Sequence, residues 1–136
     1  MSPEPLPRIL IVDDNEQLAS VMQTALKRAG FEAHTAFSGD QALAWLSQNK
    51  PDVIILDMMM PGMNGFSLLR QLRASEPSRT LPVIVLTARS DLESRRQSES
   101  AGASDFLTKP VRSPELVEHV RRALASRADG AHAHRV

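Results

Sequence analysis

The sequence predicts an α/β fold, a three-layer, doubly wound, five-stranded parallel sheet with helices on both faces. Three observations lead there. Short apolar blocks rich in β-branched residues recur along the chain, as strands covered on both faces require. Helical patterns separate those blocks in strict alternation. No internal repeat or low-complexity stretch interrupts the series.

The first strand is Ile9-Leu10-Ile11-Val12. Leu18, Val21, Met22, Ala25 and Leu26 then fall on one face of a helix that Gly30 ends. Phe31 to Ala36 is more polar and alternates, the pattern of an edge strand. Ser38 is placed to cap a second helix carrying Ala42, Leu43 and Leu46. Pro51 precedes the third strand, Val53-Ile54-Ile55-Leu56, and Asn64-Gly65 opens a third helix marked by Phe66, Leu69 and Leu72. Pro82 precedes the fourth strand, Val83-Ile84-Val85-Leu86.

The fourth helix, 91–101, differs from the others. Beyond Leu92 and Ala101 it is almost wholly polar, with Glu93, Arg95, Arg96, Gln97 and Glu99. Its anchoring to the core is expected to be poor, which suits either a solvated helix or an element that shifts. Phe106-Leu107 marks a weaker fifth strand. Ser113 can cap the last helix, with Pro114 at its first position, Glu115 in its first turn, and Val117, Val120 and Leu124 facing inward. Residues 1–7 and 126–136 are expected to be flexible tails around a domain at 8–125.

The 136 residues suit one domain, with 16 Lys+Arg against 16 Asp+Glu. Zero net charge argues against direct nucleic-acid binding or an anionic membrane, where affinity needs a basic excess. Absence of cysteine excludes a disulfide framework, a thiol nucleophile and Cys-ligated metal. MSPEPLPR reads as neither signal peptide nor membrane anchor, and apolar runs stop at four residues, far short of the ~20 a span needs. A soluble cytoplasmic domain is the expectation.

In such sheets, ligands bind beyond the carboxyl ends of the strands, where strand order reverses. Asp13 and Asp14 follow the first strand, Asp57 ends the third, Thr87 follows the fourth, and Thr108, Lys109 and Pro110 follow the fifth. Three carboxylates, a hydroxyl and an ammonium thus converge on one rim. Like charges repel at this range, and a divalent cation relieves them. Hard oxygen ligands without His or Cys favour Mg²⁺. A carboxylate nucleophile, a cation, a lysine and a hydroxyl donor are the parts needed to accept a phosphoryl group.

The segments ILIVDDN, VIILDMMMPGMNG, PVIVLTA and GASDFLTKP, in this order and at compatible spacings, resemble a receiver domain of the two-component response regulators over about residues 8 to 125. The resemblance implies a flavodoxin-like (βα)5 fold with strand order 2-1-3-4-5. It implies that Asp57 is the phosphoacceptor for a histidine kinase or histidine phosphotransfer protein. Asp14, Asp57 and the backbone carbonyl of Met59 would hold Mg²⁺ (or Mn²⁺) directly, with Asp13 acting through a metal-bound water. Lys109 would pair with Asp57, Thr87 would bond a phosphoryl oxygen in the active state, and Phe106 would be the aromatic switch. The Lys109–Pro110 bond would be cis. Phe106 stands where many relatives have Tyr, which removes a hydroxyl from the readout. Met59 and Arg89 occupy positions that tune phosphate loss in this family, and their bulk and charge suggest slow self-dephosphorylation. The fourth helix, fifth strand and fifth helix would offer a surface for phosphorylation-dependent homodimerisation or a downstream protein target.

Rival readings fit less well. A phosphatase with an aspartyl-phosphate intermediate needs a general acid at position 59, which is Met. A nucleotide switch needs a Gly-rich Lys loop, which is absent, and the turn after the first strand is acidic. A phosphorylation-independent interaction module would not need all five site residues. His34 and His119 read as surface or peripheral, Trp45 as helix-edge packing, and the side chains of Met58, Met59, Met60 and Met63 as a flexible loop flank, since a thioether is soft for this site. With no output segment after the receiver, a stand-alone regulator is expected, signalling through protein contacts and catalytic only in its own phosphorylation and dephosphorylation.

Overall fold

A computed structural model describes residues 5–58, 60, 65–87 and 92–133. The elements, in chain order, are β1 (Arg8–Val12), α1 (Glu16–Arg28), β2 (Glu32–Ala36), α2 (Gly39–Leu46), β3 (Val53–Asp57), α3 (Gly65–Ala74), β4 (Val83–Thr87), α4 (Leu92–Ala101), β5 (Asp105–Thr108) and α5 (Ser113–Ala133), with a short 3-10 turn at Glu76–Ser78. All strand pairings are parallel, in the order β2-β1-β3-β4-β5. This is the doubly wound sheet that the alternation predicts. β2, the more polar strand, lies at an edge.

Alternation along each strand divides the core in two. Ile9, Ile11, Val53, Ile55, Ile84 and Leu86 face α1 and α5, while Leu10, Val12, Ile54, Leu56, Val83 and Val85 face α2 and α3. α1 contributes Ala19, Met22 and Leu26, and α5 contributes Leu116, Val120 and Ala123. The buried stripe of α1 is thus rotated from the expected one: Val21 is 57% exposed. In α5 the expected Val117 and Leu124 flank the stripe, partly buried.

Local chemistry sets the helix ends. Asn15 caps α1 by accepting from Leu18 N–H at 3.0 Å. Ser38 Oγ accepts from Gln41 N–H at 3.1 Å, while Gln41 Oε1 accepts from Phe37 N–H at 2.8 Å. α1 ends at Gly30, whose φ of 98° supports the paired bonds Gly30 N–H to Lys27 and Phe31 N–H to Leu26. Gly102, at φ 106°, does the same after α4.

Two boundaries differ from the sequence expectation. The Pro7 carbonyl already accepts from Glu32 N–H at 2.9 Å, extending the sheet contact one residue before β1. Residues 1–4 lie outside the described part. α5 continues to Ala133, well past 125. Arg127 reaches Asp52, donating from Nη1 to its carbonyl at 3.1 Å, so the helix has a partner beyond its apolar face. Among the described residues, no helix is long and apolar enough to cross a membrane.

Candidate functional site

The sheet order places β1 beside β3, with β2 and β4 outside them, so the strand order reverses at the β1/β3 boundary. The carboxyl ends of these strands carry the charged residues. Asp13 sits one residue past β1, its N–H bonded to the Ala36 carbonyl at 3.0 Å. Asp57 is the last residue of β3, and Thr87 the last of β4. Asp13, Asp57 and Thr87 are all buried, and Asp14 is exposed.

Carboxylate oxygens of Asp13, Asp14 and Asp57 lie within 4.8 Å of one another. Lys109 Nζ donates to Asp57 Oδ2 at 2.9 Å and stands 4.0 Å from Asp13 Oδ2. Its place is set by Lys109 N–H donating to the Thr87 carbonyl at 2.9 Å, which ties the residue to the end of β4. The Lys109–Pro110 peptide bond is cis. Among the described residues, one ammonium, Lys109, thus stands beside three carboxylates, within 4.0 Å of Asp13 and Asp57.

The electrostatics of Asp13 follow from that imbalance. Asp13 Oδ1 accepts from Asn15 N–H at 3.0 Å, but Oδ2 is buried with no hydrogen-bond partner among the described residues. Burial, with Asp57 adding to it, pushes the Asp13 carboxyl from 3.8 up to about 6, against the pull of the Asn15 N–H. A buried acceptor without a donor, beside two further hard oxygen ligands, suits a divalent cation. The three carboxylates could hold one. The Thr87 hydroxyl is the second buried group here without a hydrogen-bond partner among the described residues.

Asp13, Asp14, Asp57 and Lys109 are thus brought together, and Thr87 ends the adjacent strand. Phe106 lies apart from this group. Its side chain is half-buried against the α2/α3 side of the core, and the Arg95 guanidinium stands 5.1 Å from its ring centroid. Met59 and Arg89 lie outside the described residues, as does Met63.

Three residues escaped the sequence reading. Gly65 opens α3 so close to β3 that a Cβ there would lie 2.8 Å from Met58 Sδ and 3.0 Å from Met58 Cα. The Asn64-Gly65 turn signal was visible, but the close approach was not. Arg73 of α3 is partly buried and donates to the carbonyls of Gly102 (2.8 Å), Ser78 (3.0 Å), Arg79 (3.2 Å) and Leu81 (2.6 Å), and to Ser104 Oγ at 3.3 Å. Loss of water lowers its pKa. His119, expected to be peripheral, is 18% exposed and pairs through Nδ1 with Asp105 Oδ2 at 2.6 Å. Asp105 Oδ1 in turn accepts from the Phe106 N–H at 2.8 Å. No spacing signal in the sequence links these pairs, because each joins separate elements.

Fold and site together define a doubly wound α/β protein with a cluster of three carboxylates that could hold a cation at its topological switch point. The chain belongs to the response regulator receiver domain family, whose sequence model matches residues 9–121. It is 40% identical over 119 residues to the phosphate regulon transcriptional regulatory protein PhoB of Rhizobium meliloti, covering 88% of this chain and 52% of that protein. It is 42% identical over 114 residues to the response regulator PleD of Caulobacter vibrioides, covering 84% of this chain and 25% of that one. The chain therefore spans about half the length, or less, of these curated relatives. Among solved structures, the chemotaxis response regulator CheY4 of Vibrio cholerae matches with a TM-score of 0.83 and 31% identity, over 88% of this chain and 99% of that one.

Proposed function

We propose that this chain is a phosphorylatable signalling switch in which Asp57 accepts a phosphoryl group from a phosphohistidine on a histidine kinase or phosphotransfer protein. The observation that carries the reading is the 2.9 Å pair between Lys109 and a buried Asp57, within a cluster of three carboxylates. A carboxylate oxygen of Asp57 attacks phosphorus as the P–N bond to the donor imidazole breaks. The lone pair goes to the imidazole nitrogen, which takes a proton from solvent. Lys109 shifts from the carboxylate to a phosphoryl oxygen, keeping its charge on the developing anion. Thr87 donates its hydroxyl, which has no hydrogen-bond partner among the described residues, to another phosphoryl oxygen.

Asp13, Asp14, Asp57 and the Met59 carbonyl would hold Mg²⁺, or Mn²⁺ in its place, which neutralises charge on the transferring group. Movement of Thr87 draws its loop inward, and Phe106 follows into the space. The α4–β5–α5 face changes as a result and alters contacts with a target protein or with a second copy of the chain. In this reading, the domain promotes only its own phosphorylation and dephosphorylation, in the cytoplasm.

The test is intact-protein mass after treatment with acetyl phosphate and Mg²⁺. One phosphoryl adduct that needs metal and disappears in Asp57→Asn supports the reading. A folded wild-type chain with Mg²⁺ in excess and no adduct overturns it in favour of a phosphorylation-independent interaction module.

A further inference from the structure

Phe106 is held from two sides, and the two holds are unequal. On the α5 side, Asp105 accepts from the Phe106 N–H at 2.8 Å and is itself paired to His119 at 2.6 Å. That contact is partly buried and fixes the backbone. On the α4 side, the Arg95 guanidinium sits 5.1 Å from the ring centroid, within cation–π range. Phe carries no hydroxyl, so this cation is the polar contact recorded for the ring among the described residues.

α4 is also held unevenly. Its C-terminal end is tied down: the Gly102 carbonyl accepts from Arg73 Nε at 2.8 Å, and Ser98 is buried. Glu93, Arg95, Arg96 and Gln97, nearer the phosphoacceptor, are exposed. An exposed helical half of this kind opens cheaply. The contact of Arg95 with Phe106 links that half to β5.

We propose that Arg95 is a latch on the switch ring, whose cation holds Phe106 on the α4 side in the unphosphorylated chain and thereby sets the resting population of the active arrangement. The inference rests on the motion of Phe106 described above. The ring pivots about a backbone pinned by Asp105 and His119, so the Arg95 contact is the one that must break. Exposed cation–π pairs are modest, so losing the cation should raise the resting active fraction about two- to five-fold.

The aromatic spectrum is simple, with four Phe, one Trp and no Tyr. The Phe106 ring ¹H–¹³C signals can be assigned by their loss in Phe106→Leu. They are then followed in wild type, Arg95→Gln and Arg95→Lys, with and without Mg²⁺ plus beryllofluoride, a stable mimic of a carboxyl-bound phosphoryl group. Without the mimic, the Arg95→Gln ring signals should move toward the position that the mimic produces in wild type. Arg95→Lys, which keeps a cation, should restore most of the wild-type position. A ring unmoved by Arg95→Gln, while wild type still responds to the mimic, overturns the latch and leaves the phosphoacceptor reading standing. A ring that the mimic does not move, in a chain whose Asp57 takes the phosphoryl adduct, overturns both the switch motion and the latch.

Discussion

The buried Asp13 carboxylate should cost the metal-free protein stability at neutral pH that it does not cost at acidic pH, and Asp13→Asn should remove that penalty. The Asp13 pKa stands at about 6 in the folded chain against an ordinary value of 3.8. A carboxyl raised on folding contributes stability below its unfolded value and loses it as pH rises through the folded value. Two units, with the attraction of Lys109 already contained in them, correspond to a cost of about 2–3 kcal/mol above pH ~6. Asn keeps the Oδ1 acceptor that the Asn15 N–H uses and removes the charge from the orphaned Oδ2 position. Urea unfolding in EDTA at about pH 7.5 should therefore find Asp13→Asn more stable than wild type by that amount. The gap should close toward about pH 4. Millimolar Mg²⁺ should stabilise wild type by binding the folded state, and should stabilise the variant much less. If Asp13→Asn proves less stable than wild type in EDTA at pH 7.5, the carboxylate is not a liability of the metal-free fold and the reasoning fails.

Other perturbations probe the supporting structure. Gly65→Ala puts a methyl 3.0 Å from Met58 Cα, so the exit from β3 must shift; a loss of about 1–2 kcal/mol in urea and a slower Asp57 adduct by mass should follow. Arg73→Met strips donors from four carbonyls and one hydroxyl, and should cost about 3 kcal/mol with faster amide exchange around 78–81 and 102–104. Ser38→Ala removes the α2 cap and should cost about 1 kcal/mol in the same unfolding assay, leaving the adduct rate unchanged.

Most of the architecture was legible because its signals are local. The four-residue apolar runs, the Ser38 and Gly30 punctuation and the alternation each depend on near neighbours, and each maps onto the element expected. The candidate site was legible for a different reason: strand ends are identifiable in sequence, and a parallel sheet gathers all carboxyl ends on one rim. What remained hidden depends on contacts between distant elements. Val21 could not be told from Ala19 as an inward position, because the helix phase is set by how α1 docks on the sheet. His119 looked peripheral because its partner Asp105 lies on another element. Arg73 looked like one more surface cation until the turn at 76–78 and the end of α4 were placed around it.

These hidden contacts share a location. Arg73 gathers the segments leading into β4 and β5; Asp52, ahead of β3, accepts from Arg8 N–H at 2.8 Å and from Arg127. Arg8 also pairs with Glu32 at 2.8 Å, at the start of β2. All of these sit at the amino ends of the strands. The carboxyl ends carry the opposite character: among the described residues, Asp13 Oδ2 and Thr87 Oγ1 are buried without a hydrogen-bond partner, and the Asp13, Asp14 and Asp57 carboxylates crowd together beside Lys109. A buried group lacking a partner costs stability that a ligand can recover. A sheet pinned at one end and left electrostatically incomplete at the other can reorganise its loops around a bound cation and phosphoryl group without loosening its core. The polar α4, tied by the Gly102 carbonyl at one end and exposed at Glu93, Arg95, Arg96 and Gln97 toward the other, is the element such an arrangement would move first.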